Sequence, residues 1–233
     1  IFNFYFTVVI KIILPITLGF IIWSVWNAIN DPLIGALSDR TKTRWGRRKP
    51  YIVASLGPLC LIMIFLWTPP TDNVISSFIY FLVIICLFDT IYTMFSLNQV
   101  SLFPEMFQNL EDRAKANTIR QIISVISLVF AFILPSFLIP DLNVSGLSTE
   151  VYMTEYVSAS IIIAVIMAIG GIIFIKFGIK ERVEFSKDPE TAPPFFRSLK
   201  LSIKNKAFRA YIIYGLATWY VFGMLPTMVP LYG

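Results

Sequence analysis

Six apolar stretches, at about residues 1–29, 51–68, 74–98, 117–139, 156–178 and 209–233, take up most of this chain. A hydrocarbon layer about 30 Å thick is crossed by roughly 20 helical residues. The first stretch is too long for one crossing and is interrupted between Lys11 and Pro15. Residues 1–10 therefore read as the tail of a first span, and about 14–37 as the second. Five more follow, giving spans three to seven. Lipid cannot satisfy backbone N–H and C=O groups, so the spans must be helices. Composition agrees: 57% of the 233 residues are hydrophobic and 14% charged, against about 25% charged in a soluble domain. The chain is expected to be an all-α integral membrane protein.

Charge sets the orientation. Arg40, Lys42, Arg44, Arg47, Arg48 and Lys49 lie in residues 38–50, Arg113 and Lys115 in 99–116, and nine more Lys or Arg in 176–209. The alternate connections, residues 69–73 and 140–155, hold none. Of the 19 basic residues only Lys11 and Arg120 lie outside the first set. Lys and Arg are retained on the cytoplasmic side, so those loops are cytoplasmic. The positive-inside pattern accounts for the net charge of +5 without a nucleic-acid partner.

Other chemistries are excluded within this chain. With no histidine there is no His-based zinc site, Ser-His triad or imidazole relay. Cys60 and Cys86 each sit in apolar sequence without metal spacing and read as packing residues. No nucleophile–base pair is visible, so an enzyme is not expected, and no cofactor is called for.

Three ionisable groups lie inside spans: Asp31, Asp89 and Arg120. Each costs roughly 2.5–3.5 kcal/mol at a helix centre. Trp23, Asn27 and Asp31 follow at i, i+4, i+8 and share a helix face. Asp89, Thr93 and Ser96 share another, with Tyr92 beside them, and Asn117, Arg120, Gln121 and Ser124 a third. Such stripes are costly against lipid, so they are expected to line one water-accessible cavity. A carboxylate there can bind Na⁺ through oxygen or carry a proton. The plainer alternative is that Asp31 or Asp89 pairs with Arg120 as structural glue. Pro32, directly after Asp31, is expected to kink span two. The freed carbonyls either serve as extra cation ligands or only accommodate packing.

The loop after span two carries Gly35, Asp39, Arg40, Arg47 and Arg48. Gly35 permits close helix approach. Asp39 near the basic cluster can form salt bridges that close one face of a bundle. Topology alone is the competing explanation. Residues 179–208 form the one long polar connection, with Pro189, Pro193 and Pro194. An interfacial helix is expected after them, with Phe196, Leu199 and Ile203 on one face.

These motifs support a family resemblance. Asn30-Asp31-Pro32, Gly35, Asp39-Arg40-Thr41, Arg44-Trp45-Gly46-Arg47 and Pro50 resemble the glycoside–pentoside–hexuronide:cation symporters, the melibiose-permease-like branch of the major facilitator superfamily. Phe88-Asp89-Thr90, Tyr92-Thr93, Leu102-Phe103-Pro104-Glu105, Asp112-Arg113, Asn117, Arg120-Gln121, Asn205, Phe208 and Arg209 extend the similarity.

The resemblance implies a twelve-helix fold of two six-helix bundles, with this chain a fragment of it. Residues 1–178 would be the N-terminal bundle with span one truncated. Residues 179–208 would be the cytoplasmic linker, and 209–233 span seven, whose C-terminal bundle is missing.

It also implies a plasma-membrane symporter of a glycoside or sugar-like solute, coupled to Na⁺ or H⁺ and working by alternating access. The cation would bind at Asp31 with Asn27, Thr93 and Ser96, any metal being Na⁺ there. The solute would bind near Arg120, Asp89, Tyr92 and Trp23. Gly35, Asp39, Arg40, Arg47 and Arg48 would form part of a cytoplasmic gate. Of the two span-two carboxylates of melibiose permeases, only Asp31 is matched, and Asn27 takes the other place. Their span-four carboxylate aligns with Ser96. A lysolipid or amphiphile carrier of the same branch is the alternative solute class, and a non-transporting sensor or scaffold the alternative role.

Overall fold

A computed structural model of the chain describes residues 13–71, 73–138, 149–179 and 203–232. Every regular element among them is helical. They are α1 (Ile13–Arg40), α2 (Lys49–Phe65), α3 (Val74–Met106), α4 (Leu110–Leu138), α5 (Thr149–Ile173) and α6 (Lys206–Tyr232). A π-helical turn, Phe174–Gly178, extends α5. The chain divides into two compact units, residues 1–187 and 188–233. The first holds α1 to α5 and the second α6. The expected tail of span one lies outside the described residues, and so does the expected interfacial helix apart from Ile203 and Lys204.

The helices outrun the apolar stretches. Apolar sequence ends near residue 98, yet α3 continues to Met106. Its 33 residues measure about 50 Å at 1.5 Å per residue, well beyond a hydrocarbon core. The extra turns carry Glu105 to the basic loop, beside Arg47. Pro32 lies within α1, which stays helical through it.

Among the described residues, Val74–Met106 and Met153–Gly178 are long and apolar enough to cross a membrane, and Lys49–Phe65 is apolar but shorter. The distribution of side chains adds to this. Along α1, Leu18, Ile21, Ile22, Val25, Ile29, Leu33 and Leu37 are exposed, while Asn30 and Ser38 are buried. Water would reverse that pattern. On α4, Ile119, Ile122, Ile123, Val125, Ile126 and Phe130 are all exposed.

The central helix is α3. It packs along both α1 and α2, and α2 packs on α5. Ile16, Phe81, Ile85, Tyr156 and Ala159 form one cluster between α1, α3 and α5. Leu59, Ile62, Leu66 and Ile84 form a second between α2 and α3. Ile52, Leu102 and Ile179 form a third near the start of α2 and the end of α3.

Gly19 lets α1 approach Phe81, which is fully buried. A Cβ at Gly19 would lie 2.5 Å from Phe81 Cε1. Overfilling such a contact costs typically 1–3 kcal/mol. Gly19→Val is therefore expected to lower the thermal unfolding temperature of the complete protein in detergent. An unchanged temperature would mean that α1 and α3 do not meet there.

Candidate functional site

The site grows out of a parallel pairing of α1 and α3. On α1, Asn27 and Asp31 are one turn apart, and Asn30 is three residues after Asn27. On α3, Asp89 and Thr93 are likewise one turn apart. Asn27 Nδ2 donates to Asp89 Oδ1 at 2.8 Å, and Asn30 Nδ2 to Asp89 Oδ2 at 3.0 Å. One turn on, Thr93 Oγ1 donates to Asp31 Oδ1 at 2.9 Å. Outside these rungs, Trp26 Nε1 donates to Thr90 Oγ1 at 3.2 Å. Farther along, Gly35 faces Leu97, where a Cβ would meet Cδ2 at 3.4 Å. Asn30, Asp89 and Thr93 are buried. Buried carboxylates need such donors, because a bare one carries the full cost of lost hydration.

The paired helices wall a cavity of about 690 Å³. Its polar lining is Asn27, Asp31, Asp89, Thr93 and Ser96, and its aromatic lining Trp23, Trp67, Phe88 and Tyr92. Tyr92 stacks on Phe88 with ring centroids 5.8 Å apart. Trp23 Nε1 is buried without an acceptor. A polar solute atom entering the cavity would therefore find an indole donor, the Asp31 carboxylate and aromatic faces together.

Two of the three expected stripes meet here, and the third does not. Arg120, Gln121 and Ser124 line a different cavity of about 870 Å³, with Gln99, Phe103 and Phe174. The Arg120 guanidinium lies over the Phe103 ring, 5.1 Å from its centroid. Neither Asp31 nor Asp89 pairs with it: amide and hydroxyl donors from the facing helix take that role. The single cavity expected for Arg120, Asp89, Tyr92 and Trp23 is thus two. The physical reason is position. Arg120 is only ten residues into α4 and sits opposite Phe103, near the end of α3. The Asn27 amide donates across the interface to Asp89, while Asn27 and Asp31 both line the first cavity.

Three helix ends converge on Glu105. Arg47 Nη2 lies 2.5 Å from Glu105 Oε1, and Arg48 Nη2 lies 3.2 Å from the same oxygen. Arg48 Nη2 also reaches Asp39 Oδ1 at 3.1 Å. The C-terminus of α1, the start of α2 and the end of α3 are thereby tied together. Gly46, with φ of 100°, makes the turn that delivers the two arginines, in a conformation that side chains with a Cβ disfavour. Thr43 supports it by donating from Oγ1 to Gly46 O at 2.5 Å. Arg40 is exposed and stands outside the network.

Asn30 and Glu105 were not among the expected site residues. Counting i+3 as well as i+4 from Asn27 would have put Asn30 on the stripe. Glu105 is the carboxylate of Leu102-Phe103-Pro104-Glu105 and lies on the membrane side that holds the basic loop.

The profile of the MFS/sugar transport protein family matches residues 1–233. The chain belongs to this family. Its members are integral membrane proteins, and the relatives are transporters and not enzymes. An uncharacterized symporter of Synechocystis sp. is 36% identical over 119 residues, covering 48% of this chain and 22% of that protein. The sodium-dependent lysophosphatidylcholine symporter 1 of Gallus gallus is 27% identical over 228 residues, 86% of this chain and 43% of that protein. The isoprimeverose transporter of Lactiplantibacillus pentosus is 26% identical over 201 residues, 86% of this chain and 41% of that protein. The chain spans less than half the length of these relatives.

Proposed function

We propose that this chain is part of a cation-coupled symporter that moves a glycoside or related small solute by alternating access, most simply in the plasma membrane. The observation that carries the reading is Asp31, hydrogen-bonded by Thr93 and lining a cavity inside a membrane-embedded bundle. Intramembrane carboxylates are costly and mark ion or substrate pathways. The cation, Na⁺ or H⁺, binds at Asp31, and the solute lies against Trp23, Tyr92 and the neighbouring aromatic rings. Sugars suit such a wall, because their hydroxyls take hydrogen bonds while their C–H faces stack on rings. Each ligand shifts the same conformational equilibrium, which couples their movements. The Arg47–Arg48–Glu105–Asp39 cluster acts in the cytoplasmic gate.

A second reading has its own support. Met63, Leu66, Ile85, Leu97 and Val100 also line the cavity, an apolar wall suited to an acyl chain, and one relative is a lysophosphatidylcholine symporter.

The test is uptake by the complete protein in proteoliposomes under imposed Na⁺ or H⁺ gradients, with a panel of labelled glycosides and a labelled lysophospholipid. Concentrative, gradient-driven uptake of a glycoside is expected. Uptake of the lysophospholipid alone would replace the sugar reading with the amphiphile one. A folded protein with no driven uptake of either would end the symporter reading.

A further inference from the structure

We propose that Asp89 is a positioning residue for a metal-cation site, acting through the side-chain amide of Asn27. The proposal rests on the symporter reading above and adds to it a role for Asp89 and a commitment to a metal ion.

A carboxylate only accepts hydrogen bonds, so Asn27 must turn its NH₂ group toward Asp89. The 2.8 Å contact from Nδ2 to Oδ1 fixes the amide in that sense. Its carbonyl oxygen is thereby turned away from Asp89 and left for the cavity. Asp31 lies one turn further along α1, on the same cavity wall. The hydroxyl of Thr93 reaches Asp31 from α3. An amide carbonyl, a carboxylate and a hydroxyl are thus gathered from two helices. These are the hard oxygen ligands that alkali and alkaline-earth ions prefer.

Asp89 itself is poorly placed to hold a ligand. It is 5% exposed, and both its oxygens are taken, by Asn27 and by Asn30, which is 3% exposed. Asn30 anchors the carboxylate, the carboxylate orients Asn27, and Asn27 presents its oxygen. Without the negative charge of Asp89, the amide can rotate and point N–H groups at the cation.

The test measures solute uptake against Na⁺ concentration, using the complete protein in proteoliposomes. Asp89→Asn is expected to raise the half-saturating Na⁺ concentration about tenfold or more, the usual effect of removing a group that orients a metal ligand. The KM for solute at saturating Na⁺ should stay unchanged. Asn27→Ala, which removes the carbonyl and spares the Asn30–Asp89 bond, should weaken Na⁺ activation to a similar degree. It keeps the test decisive if Asp89→Asn does not fold. The double variant Asn27→Asp/Asp89→Asn exchanges amide and carboxylate while keeping a hydrogen bond between the two positions. It should recover most of the lost Na⁺ affinity.

Three results would overturn the proposal. Asp89→Asn could raise the solute KM and leave Na⁺ activation intact, which makes Asp89 a solute ligand. The double variant could fold yet do no better than the single one. The unaltered protein could be driven by protons alone, which removes the metal ion but leaves the symporter reading standing. Absence of driven uptake in the unaltered protein is the separate result that removes both.

Discussion

Asp31→Asn is expected to bring the accumulation ratio of the solute to about one while leaving exchange across the membrane running. Accumulation draws on the free energy of the ion that travels with the solute. A tenfold ion gradient supplies about 1.4 kcal/mol per ion. A potential of 100 mV adds about 2.3 kcal/mol per charge, enough alone for about fiftyfold accumulation at one-to-one stoichiometry. All of that is lost if the ion no longer binds. Asparagine has the same shape as aspartate and keeps an oxygen that can accept from Thr93 Oγ1, now 2.9 Å from Asp31. The α1–α3 pairing should therefore survive, and so should downhill movement. The measurement is paired: gradient-driven accumulation and equilibrium exchange of the same labelled solute in the same vesicles. Undiminished accumulation would remove Asp31 from the coupling site. Loss of both activities would point to a general structural role.

Glu105→Ala is expected to be the most destabilising single change where the basic loop meets the helix ends. The side chains of Glu105, Arg47 and Arg48 are 14%, 22% and 11% exposed. Removing one partner of a fully buried ion pair costs about 3–5 kcal/mol, because the other charge stays behind without compensation. Partial exposure lets water relieve some of this, so about 2 kcal/mol is a reasonable figure here. The unfolding temperature of the complete protein in detergent should fall by about 2 °C for a protein of the relatives' length, with Glu105→Gln between it and the original. Lys115–Glu111 offers a control. Its two side chains are 69% and 72% exposed, and Glu111→Ala should change stability by less than about 0.5 kcal/mol. Equal effects at the two sites would show that Glu105 does not hold the three helix ends together.

The sequence carries the helices and much of the site, but not how the parts meet. Hydropathy located α1 to α6 because it reports on a single helix and its solvent. It missed the last turns of α3 because a helix can leave the apolar layer and stay hydrogen-bonded to itself. The stripes were legible at helical spacing. Which stripes face one another depends on where each helix crosses its neighbour, a tertiary property with no local signature. Asn27 and Asp31 look like partners along one helix, yet each finds its hydrogen bond across the interface, with Asp89 and Thr93. Arg120 looks like the natural counter-ion for a buried aspartate, yet it lies over Phe103. The roles of Gly35, Asp39, Arg47 and Arg48 in a gate, and of Asp31 and Ser96 in cation binding, are matters for the transport measurements above.

The parallel rungs between α1 and α3 also restrict how this bundle can move. Asn27 answers Asp89 and Asp31 answers Thr93, with the same four-residue interval on both helices. A small slide of α1 along α3 breaks both rungs and forms nothing in exchange. A slide of one full interval, about 6 Å, sets Asp31 opposite Leu97, where a carboxylate has no donor. The two helices are keyed like a spline in its slot, and a rearrangement that keeps these hydrogen bonds carries them as one piece.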